Sequence, residues 1–169
     1  IGGSQITQSV ADRRLSDTIK WLSSLNLINE ELDLIEGPRN EAAYQNEKQY
    51  WWVNQGKTHQ EEKNRGILWA PQHGKNGNPI SHHVDLTKAR PGDIVITYSL
   101  GHIRAVAKVL EVAREEPKPS DITSDAWQRD GYLLPVKYYD LASNIAKDEI
   151  PVDWRKEEDG PFDRNGNVK

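Results

Sequence analysis

The sequence contains no cysteine and no methionine among its 169 residues. Without cysteine there is no disulfide framework, no thiolate metal site and no cysteine nucleophile, which fits a reducing cytoplasm. The chain also lacks an apolar run of about 18 residues and a basic-then-apolar leader, so we expect neither a transmembrane helix nor a secretory signal. We therefore expect a cytoplasmic protein with no membrane partner. Because the chain starts at Ile1, we also expect it to be a piece of a longer protein.

The sequence also has no excess of positive charge, because its formal net charge is −4. This argues against a protein that binds nucleic acid through bulk charge alone. The charge is unevenly distributed: residues 41–115 carry 10 basic and 8 acidic side chains, residues 1–40 carry 4 and 6, and residues 116–169 carry 8 and 12. An anionic partner would therefore dock on the middle block, which also holds all five histidines. The alternative is that so small a difference has no functional meaning.

The first part of the chain has a helical pattern. Apolar residues recur at helical spacing from Leu15 and Ile19 onward, with charged residues on the other faces. This predicts helical structure over residues 9–36, ended by Gly37 and Pro38. We expect residues 1–37 to be a helical appendage or the end of an upstream segment, and residues 38–169 to be the main domain.

The middle of the chain has strand patterns instead. Two apolar runs rich in aromatic and β-branched residues predict buried strands at residues 50–53 and 94–99. Further strands are predicted at residues 66–70, 103–112 and 131–138, with a turn at residues 90–93 and a charged, proline-rich loop at 114–124. Such strands with short helices between them predict an α+β fold built as a small mixed β-barrel.

One large apolar residue, Trp69, lies in the polar, glycine-containing segment between the two main strands. A tryptophan at this place has little core to fill. We therefore expect its ring to be either a lid over the sheet or the wall of a ligand pocket.

Four motifs follow one another in an order that resembles EVE domains. They are YWWVNQG at residues 50–56, LWAP at 68–71, KARPGDIVITY at 88–98 and HIRAVAKV at 102–109. EVE domains belong to the PUA-like superfamily and are related to YTH readers of methylated RNA. The resemblance covers about residues 48–140 and is greatest to EVE modules fused to modification-dependent restriction endonucleases. It implies a PUA-like mixed β-barrel with short helices. Residues 161–169 resemble the closing segment of EVE modules, and we expect the last strand of such a module to be missing from this sequence.

The resemblance implies a DNA-binding module that flips 5-methylcytosine or 5-hydroxymethylcytosine out of the stack into an aromatic cage. Trp69 matches the cage tryptophan, Asn54 and Gln55 match positions that bond base edges, and Tyr98 and Ser99 border the cage. Such a module is the specificity domain of a phage-defence restriction system whose nuclease or NTPase lies in another domain or a partner. No catalytic residue, cofactor or metal is then expected.

A base held outside the stack needs a second aromatic wall. Stacking on one ring contributes roughly 1–3 kcal/mol, and flipping costs a few kcal/mol. The stacking energy of a single ring therefore offsets the cost of flipping and leaves little net binding energy. The candidates for this wall are Tyr98, Trp52 and Trp127, although the spacing of Trp127 does not match the later cage tryptophan of YTH domains. The basic side chains expected to include phosphate contacts are Lys57, Arg65, Lys75, Arg90 and Arg104.

Two other functions are open at the level of sequence. The first is recognition of N6-methyladenine or RNA, as in the YTH relatives. The second is an amidohydrolase acting on modified nucleosides, as in the ASCH group, which resembles this chain and uses a Lys, a Thr and a Glu. Lys57 and Thr58 lie in a suitable loop, but a general base also needs a carboxylate within hydrogen-bond reach, and the sequence assigns none.

Overall fold

The computed structural model describes residues 5–8, 49–74, 77–78, 81–123, 130–156 and 161–167, with the backbone alone for residues 5–8, 81, 82 and 154. The helix predicted over residues 9–36 lies outside them. No helix among the described residues is long and apolar enough to cross a membrane. The described elements are the strands β1 (Gln5–Gln8), β2 (Tyr50–Asn54), β3 (Ile67–Pro71), β4 (Ile94–Ser99), β5 (His102–Val109), β6 (Arg114–Pro117) and β7 (Asp130–Ala146), the helices α1 (His59–Arg65) and α2 (Val152–Arg155), and 3-10 helices at Ser81–Lys88 and Lys147–Glu149.

The strands form one mixed sheet in the order β1-β2-β4-β5-β7-β3, and β6 also pairs with β7. Only the pairing of β2 with β4 is parallel among the described strands. The sheet curls into a half-barrel with few short helices, which confirms the expected barrel-like α+β fold. Within the predicted appendage, residues 5–8 form an edge strand of this sheet.

The two central strands fit the sheet because their residues are aromatic and β-branched and their side chains alternate between its faces. Trp52 and Ile96 pack on one face against Phe162 from the C-terminal segment. Trp51 and Val95 pack on the opposite face with residues of β3, β5 and β7. The sheet therefore has buried residues on both faces.

The parallel pairing depends on the turn that precedes β4. Gly92 has φ 95°, and the backbone N–H of Asp93 donates to the carbonyl of Arg90 at 3.0 Å, which closes the turn. The buried Asp93 carboxylate then accepts hydrogen bonds from the indole N–H of Trp51 at 2.9 Å and from the backbone N–H groups of Gln49 and Arg90 at 3.0 and 2.9 Å. This carboxylate thus fixes the start of β2 beside the start of β4.

Two predictions about the later strands were wrong. The charged loop predicted at residues 114–124 contains the strand β6, and β7 continues to Ala146 rather than ending near residue 138. The exposed sequence of β6 is charged and ends in Pro117, as edge strands often do. Its pairing with β7 stabilises a strand that its own residues do not favour.

Replacing Asp93 by asparagine is expected to lower the free energy of unfolding by about 2 kcal/mol or more. The asparagine side chain has one acceptor oxygen, whereas the carboxylate has two that accept from three N–H groups. The NH2 group of asparagine therefore faces at least one N–H donor and leaves it without an acceptor. Urea denaturation measures the change, and Asp130→Asn is the control because Asp130 is exposed at the start of β7. Equal stability of the two variants would contradict the anchoring role of Asp93.

Candidate nucleic-acid interface

The carboxyl ends of β2 and β4 meet at one edge of the sheet because these strands are parallel. Asn54 pairs in register with Tyr98, and the N–H of Gln55 donates to the Tyr98 carbonyl at 2.9 Å. The Ser99 hydroxyl donates to the Gly56 carbonyl at 2.6 Å. We call the polar group formed by residues 54–59, 98–99 and 104 the rim.

The buried amide of Gln55 organises the rim from below. Its Nε2 donates to the hydroxyl of Tyr138 on β7 at 2.8 Å, and its Oε1 lies 2.7 Å from Nδ1 of His59. The Tyr138 hydroxyl in turn donates to the carbonyl of Ile67 on β3 at 2.9 Å. Because Gln55 is fully buried, its amide supports His59, and contact with a base would require these bonds to open.

His59 is neutral at pH 7. Burial lowers its pKa from 6.5 to about 4, aided by the positive charges of Lys63 and Arg104 and opposed by Asp140. Burial and the nearby Glu62 carboxylate raise the pKa of Tyr138 well above 10, against the hydrogen bond from Gln55, so its hydroxyl stays protonated.

Three side chains of the rim keep polar atoms that no described residue pairs with. Asn54 uses its Oδ1 to accept from the Gly56 N–H at 3.2 Å, which leaves its NH2 group available. Arg104 donates from Nε to the Ser99 carbonyl at 3.2 Å, which leaves its two terminal nitrogens available. Lys57 is exposed. The rim therefore presents several donors and positive charge.

Beneath the rim, Trp52, Tyr98 and Phe162 form an aromatic trio. The ring centroids of Trp52 and Tyr98 lie 5.2 Å apart, and Phe162 lies 5.5 and 5.9 Å from them. A base between two walls needs them about 7 Å apart, twice the contact distance between carbons. Trp52 and Tyr98 therefore contact each other and leave no gap for a base between them. The buried indole N–H of Trp52 has no hydrogen-bond partner in the described residues.

The expectation that Trp69 has little core to fill is wrong. Its ring lies in β3, is only 3% exposed and packs with Ile67, Ile122 and Leu133. The indole N–H donates to the carbonyl of Glu116 at 3.1 Å. A role of Trp69 as a wall of the base cage stays a prediction, and it requires the ring to be uncovered.

A buried pair on α1 links Trp69 to the rim. The Glu62 carboxylate accepts from the Trp69 backbone N–H at 3.0 Å, and its other oxygen lies 2.5 Å from the Thr58 hydroxyl. Glu62 is thus the carboxylate near Thr58 that sequence could not assign. Glu62 and Thr58 are 1% and 4% exposed, so the pair is closed to a substrate.

Two of the other predicted phosphate contacts, Arg65 and Arg90, lie away from the rim. Arg65 pairs with Asp121 at 2.6 Å, and this pairing lowers the pKa of the Asp121 carboxyl. Arg90 precedes β4 and so lies about 20 Å from the rim, the length of a six-residue strand. Lys75 and Trp127 lie outside the described residues.

Several of the residues predicted for the site lie together in the structure, and their role in binding stays a prediction. The predicted residues that the structure brings together are Asn54, Gln55, Lys57, Tyr98, Ser99 and Arg104. His59 and Tyr138 were missed. Tyr138 is 83 residues from Gln55, so no local pattern connects them.

Comparison with known proteins leaves the family open. A scan of protein-family models and a search of curated proteins both found no match to this chain. The resemblance to EVE domains therefore stays an expectation from the motifs.

Gly131→Ala is expected to displace Trp69. An added Cβ would lie 2.3 Å from Cζ2 of Trp69 and 2.6 Å from the Ala70 carbonyl oxygen. We expect a loss of about 1–3 kcal/mol of stability, because overpacking forces the ring to move, together with a shift in tryptophan fluorescence. Gly77→Ala is the control for the fluorescence shift, since its Cβ meets nothing within 4 Å, so that its positive φ costs about 1–2 kcal/mol of stability without displacing a ring. An unshifted fluorescence spectrum in Gly131→Ala would contradict this packing.

The stability of the protein is expected to fall between pH 6.5 and about 4 because of His59. In that window the His59 imidazole is protonated in the unfolded state but stays neutral in the folded state. The unfolded state is therefore favoured as pH drops. Urea denaturation across the window should give a flatter pH profile for His59→Gln than for the unmodified protein. Identical profiles would show that His59 is not held neutral.

Proposed function

We propose that this chain is a DNA-binding module that reads a modified base, most simply 5-methylcytosine or 5-hydroxymethylcytosine. The observation that carries the proposal is the rim. Asn54 at the end of β2, the exposed Lys57 that follows it, and Arg104, which binds the Ser99 carbonyl at the end of β4, keep donors that no described residue uses. Unpaired donors of this kind suit the acceptor atoms of phosphates and base edges.

The fold is compatible with the same proposal. A curled mixed sheet with a short helix after its first central strand is what an EVE-type PUA-like domain would present. On this reading the module is the specificity domain of a modification-dependent restriction enzyme. The nuclease then lies in another domain or in a partner, and the module itself is not an enzyme.

The base has to stack on a ring that the rim adjoins. The aromatic trio lies directly below Asn54, because Tyr98 is the register partner of that residue. Trp69 is connected to the rim by hydrogen bonds, since Glu62 binds both the Thr58 hydroxyl and the Trp69 backbone N–H. Since these rings are buried, we propose that binding moves one of them, and stacking at roughly 1–3 kcal/mol per base offsets part of the flipping cost.

The contact of Thr58 with Glu62 also bears on the amidohydrolase alternative. It supplies a carboxylate beside a threonine, as that chemistry needs. The same atoms, however, bind the Gln55 carbonyl and the Trp69 N–H and are almost fully buried. We therefore favour binding, and turnover of an acylated cytidine by the domain would reverse this preference.

Duplexes carrying one 5-methylcytosine are expected to bind about fourfold tighter than unmodified ones, because burying one methyl group contributes about 0.8 kcal/mol. Fluorescence anisotropy with labelled duplexes of one sequence measures the ratio. The same titration with N6-methyladenine and with methylated RNA tests the YTH-like alternative. Equal, weak binding of all these ligands would contradict the proposal.

Arg104→Gln is expected to weaken binding to all duplexes alike and to lower the salt slope by about one, since one phosphate contact is lost. Arg114→Gln is the matched control, because Arg114 lies on β6 and pairs with Glu111 and Glu116. The same loss of affinity in both variants would show that the rim is not the binding surface.

A further inference from the structure

The two ring nitrogens of His59 are held in different states. The Tyr138 hydroxyl donates its proton to the Ile67 carbonyl, so its oxygen must accept from Gln55. This orients the Gln55 amide with Nε2 toward Tyr138 and Oε1 toward His59. Because Oε1 only accepts, the Nδ1 of His59 at 2.7 Å must carry a proton.

The other nitrogen, Nε2, is then a bare acceptor. The lowered pKa of His59 leaves the ring one proton at neutral pH, and that proton is on Nδ1. The side chain is partly exposed at the rim, and no described residue pairs with Nε2. The rim therefore has a hydrogen-bond acceptor of fixed tautomer in addition to the donors of Asn54 and Arg104.

An acceptor at this position restricts what it can contact in DNA. Phosphate and deoxyribose oxygens are themselves acceptors, so they cannot bond to Nε2. The donors of DNA are N–H groups of the bases, such as the N4 amino group of cytosine. The donors of Arg104 suit a phosphate, whereas His59 suits a base edge.

We propose that Nε2 of His59 accepts a hydrogen bond from the exocyclic amino group of the bound base and so selects cytosine over thymine. The proposal rests on the function proposed above and names a specificity residue for it. Gln55 and Tyr138 are positioning residues, which act by fixing the tautomer of His59.

The pair of 5-methylcytosine and thymine isolates this contact. Both pyrimidines carry the same methyl group at C5, but thymine has a carbonyl oxygen where 5-methylcytosine has the N4 amino group. That oxygen would face the lone pair of Nε2 without a proton between them. Burial of the methyl group is equal for the two bases, so any preference comes from the polar edge.

Nitrogen-15 NMR of the imidazole in the free protein at pH 7 tests the tautomer without any ligand. We expect His59 to be protonated at Nδ1 only, and Tyr138→Phe to give a mixture of tautomers because the Gln55 amide loses its orienting partner. An Nε2-protonated or doubly protonated His59 in the unmodified protein would overturn the proposal. An unchanged tautomer in Tyr138→Phe would overturn the positioning role of Tyr138.

Affinity for oligonucleotides tests the contact itself. The base, either 5-methylcytosine, thymine or cytosine, is placed opposite an abasic site so that unpairing contributes equally. We expect 5-methylcytosine to bind about tenfold tighter than thymine or more. In His59→Gln, whose folding is checked by circular dichroism, the two should bind within about twofold, because the amide can present either its oxygen or its nitrogen.

The outcomes separate this proposal from the general function. Equal binding of 5-methylcytosine and thymine by the unmodified protein, both tighter than cytosine, would overturn the His59 contact and leave modified-base reading intact. A preference of His59→Gln for 5-methylcytosine over thymine as large as that of the unmodified protein would likewise overturn the His59 contact and leave modified-base reading intact. If the unmodified protein bound none of the oligonucleotides, both the His59 contact and the proposed function of modified-base reading would be overturned. Tighter binding of RNA than of DNA of the same sequence would overturn the base contact in favour of the ribose 2′-hydroxyl.

Discussion

The carboxylate of Asp93 holds together the arrangement on which the rim depends. It binds the indole N–H of Trp51 and the backbone of Gln49, so β2 starts beside β4 and runs parallel to it. Parallel strands that start together also end together. The polar residues that follow β2 are thereby brought against the end of β4, although Asn54 and Tyr98 are far apart in sequence.

The chemistry of the rim is fixed from below by residues of other strands. A chain of hydrogen bonds runs from the Ile67 carbonyl through Tyr138 and Gln55 to His59. Every donor and acceptor in this chain has a determined direction, because its first member can only accept. Such buried networks are specific when each member is satisfied. Here the network leaves Nε2 of the partly exposed His59 as an acceptor that no described residue pairs with.

The sequence predicted the central strands and their turn well, because β-branched and aromatic residues mark β2 and β4 and a proline–glycine pair marks the turn before Asp93. It failed where pairing partners decide structure. The charged residues of β6 form a strand only because β7 lies beside them. Prolonged pairing with β5 likewise extends β7 to Ala146.

For the site, the motif after β2 predicted Asn54 and Gln55, but it did not separate their roles. Asn54 keeps its NH2 group at the rim, whereas the Gln55 amide is buried against Tyr138. Trp69 was expected to face a ligand and instead fills a small core with Leu133. These differences arise from contacts between distant parts of the chain, which local residue patterns do not encode.

The most direct test of the rim as the binding surface is an NMR titration with a short single strand that carries one 5-methylcytosine. We expect the largest backbone amide shifts at residues 54–59 and 99–104, on both sides of the β2 and β4 ends. Small shifts are expected at β6 and at the turn of Arg90, which lie away from the rim. Shifts concentrated at the Arg90 end of β4, with none at residues 54–59, would contradict the account.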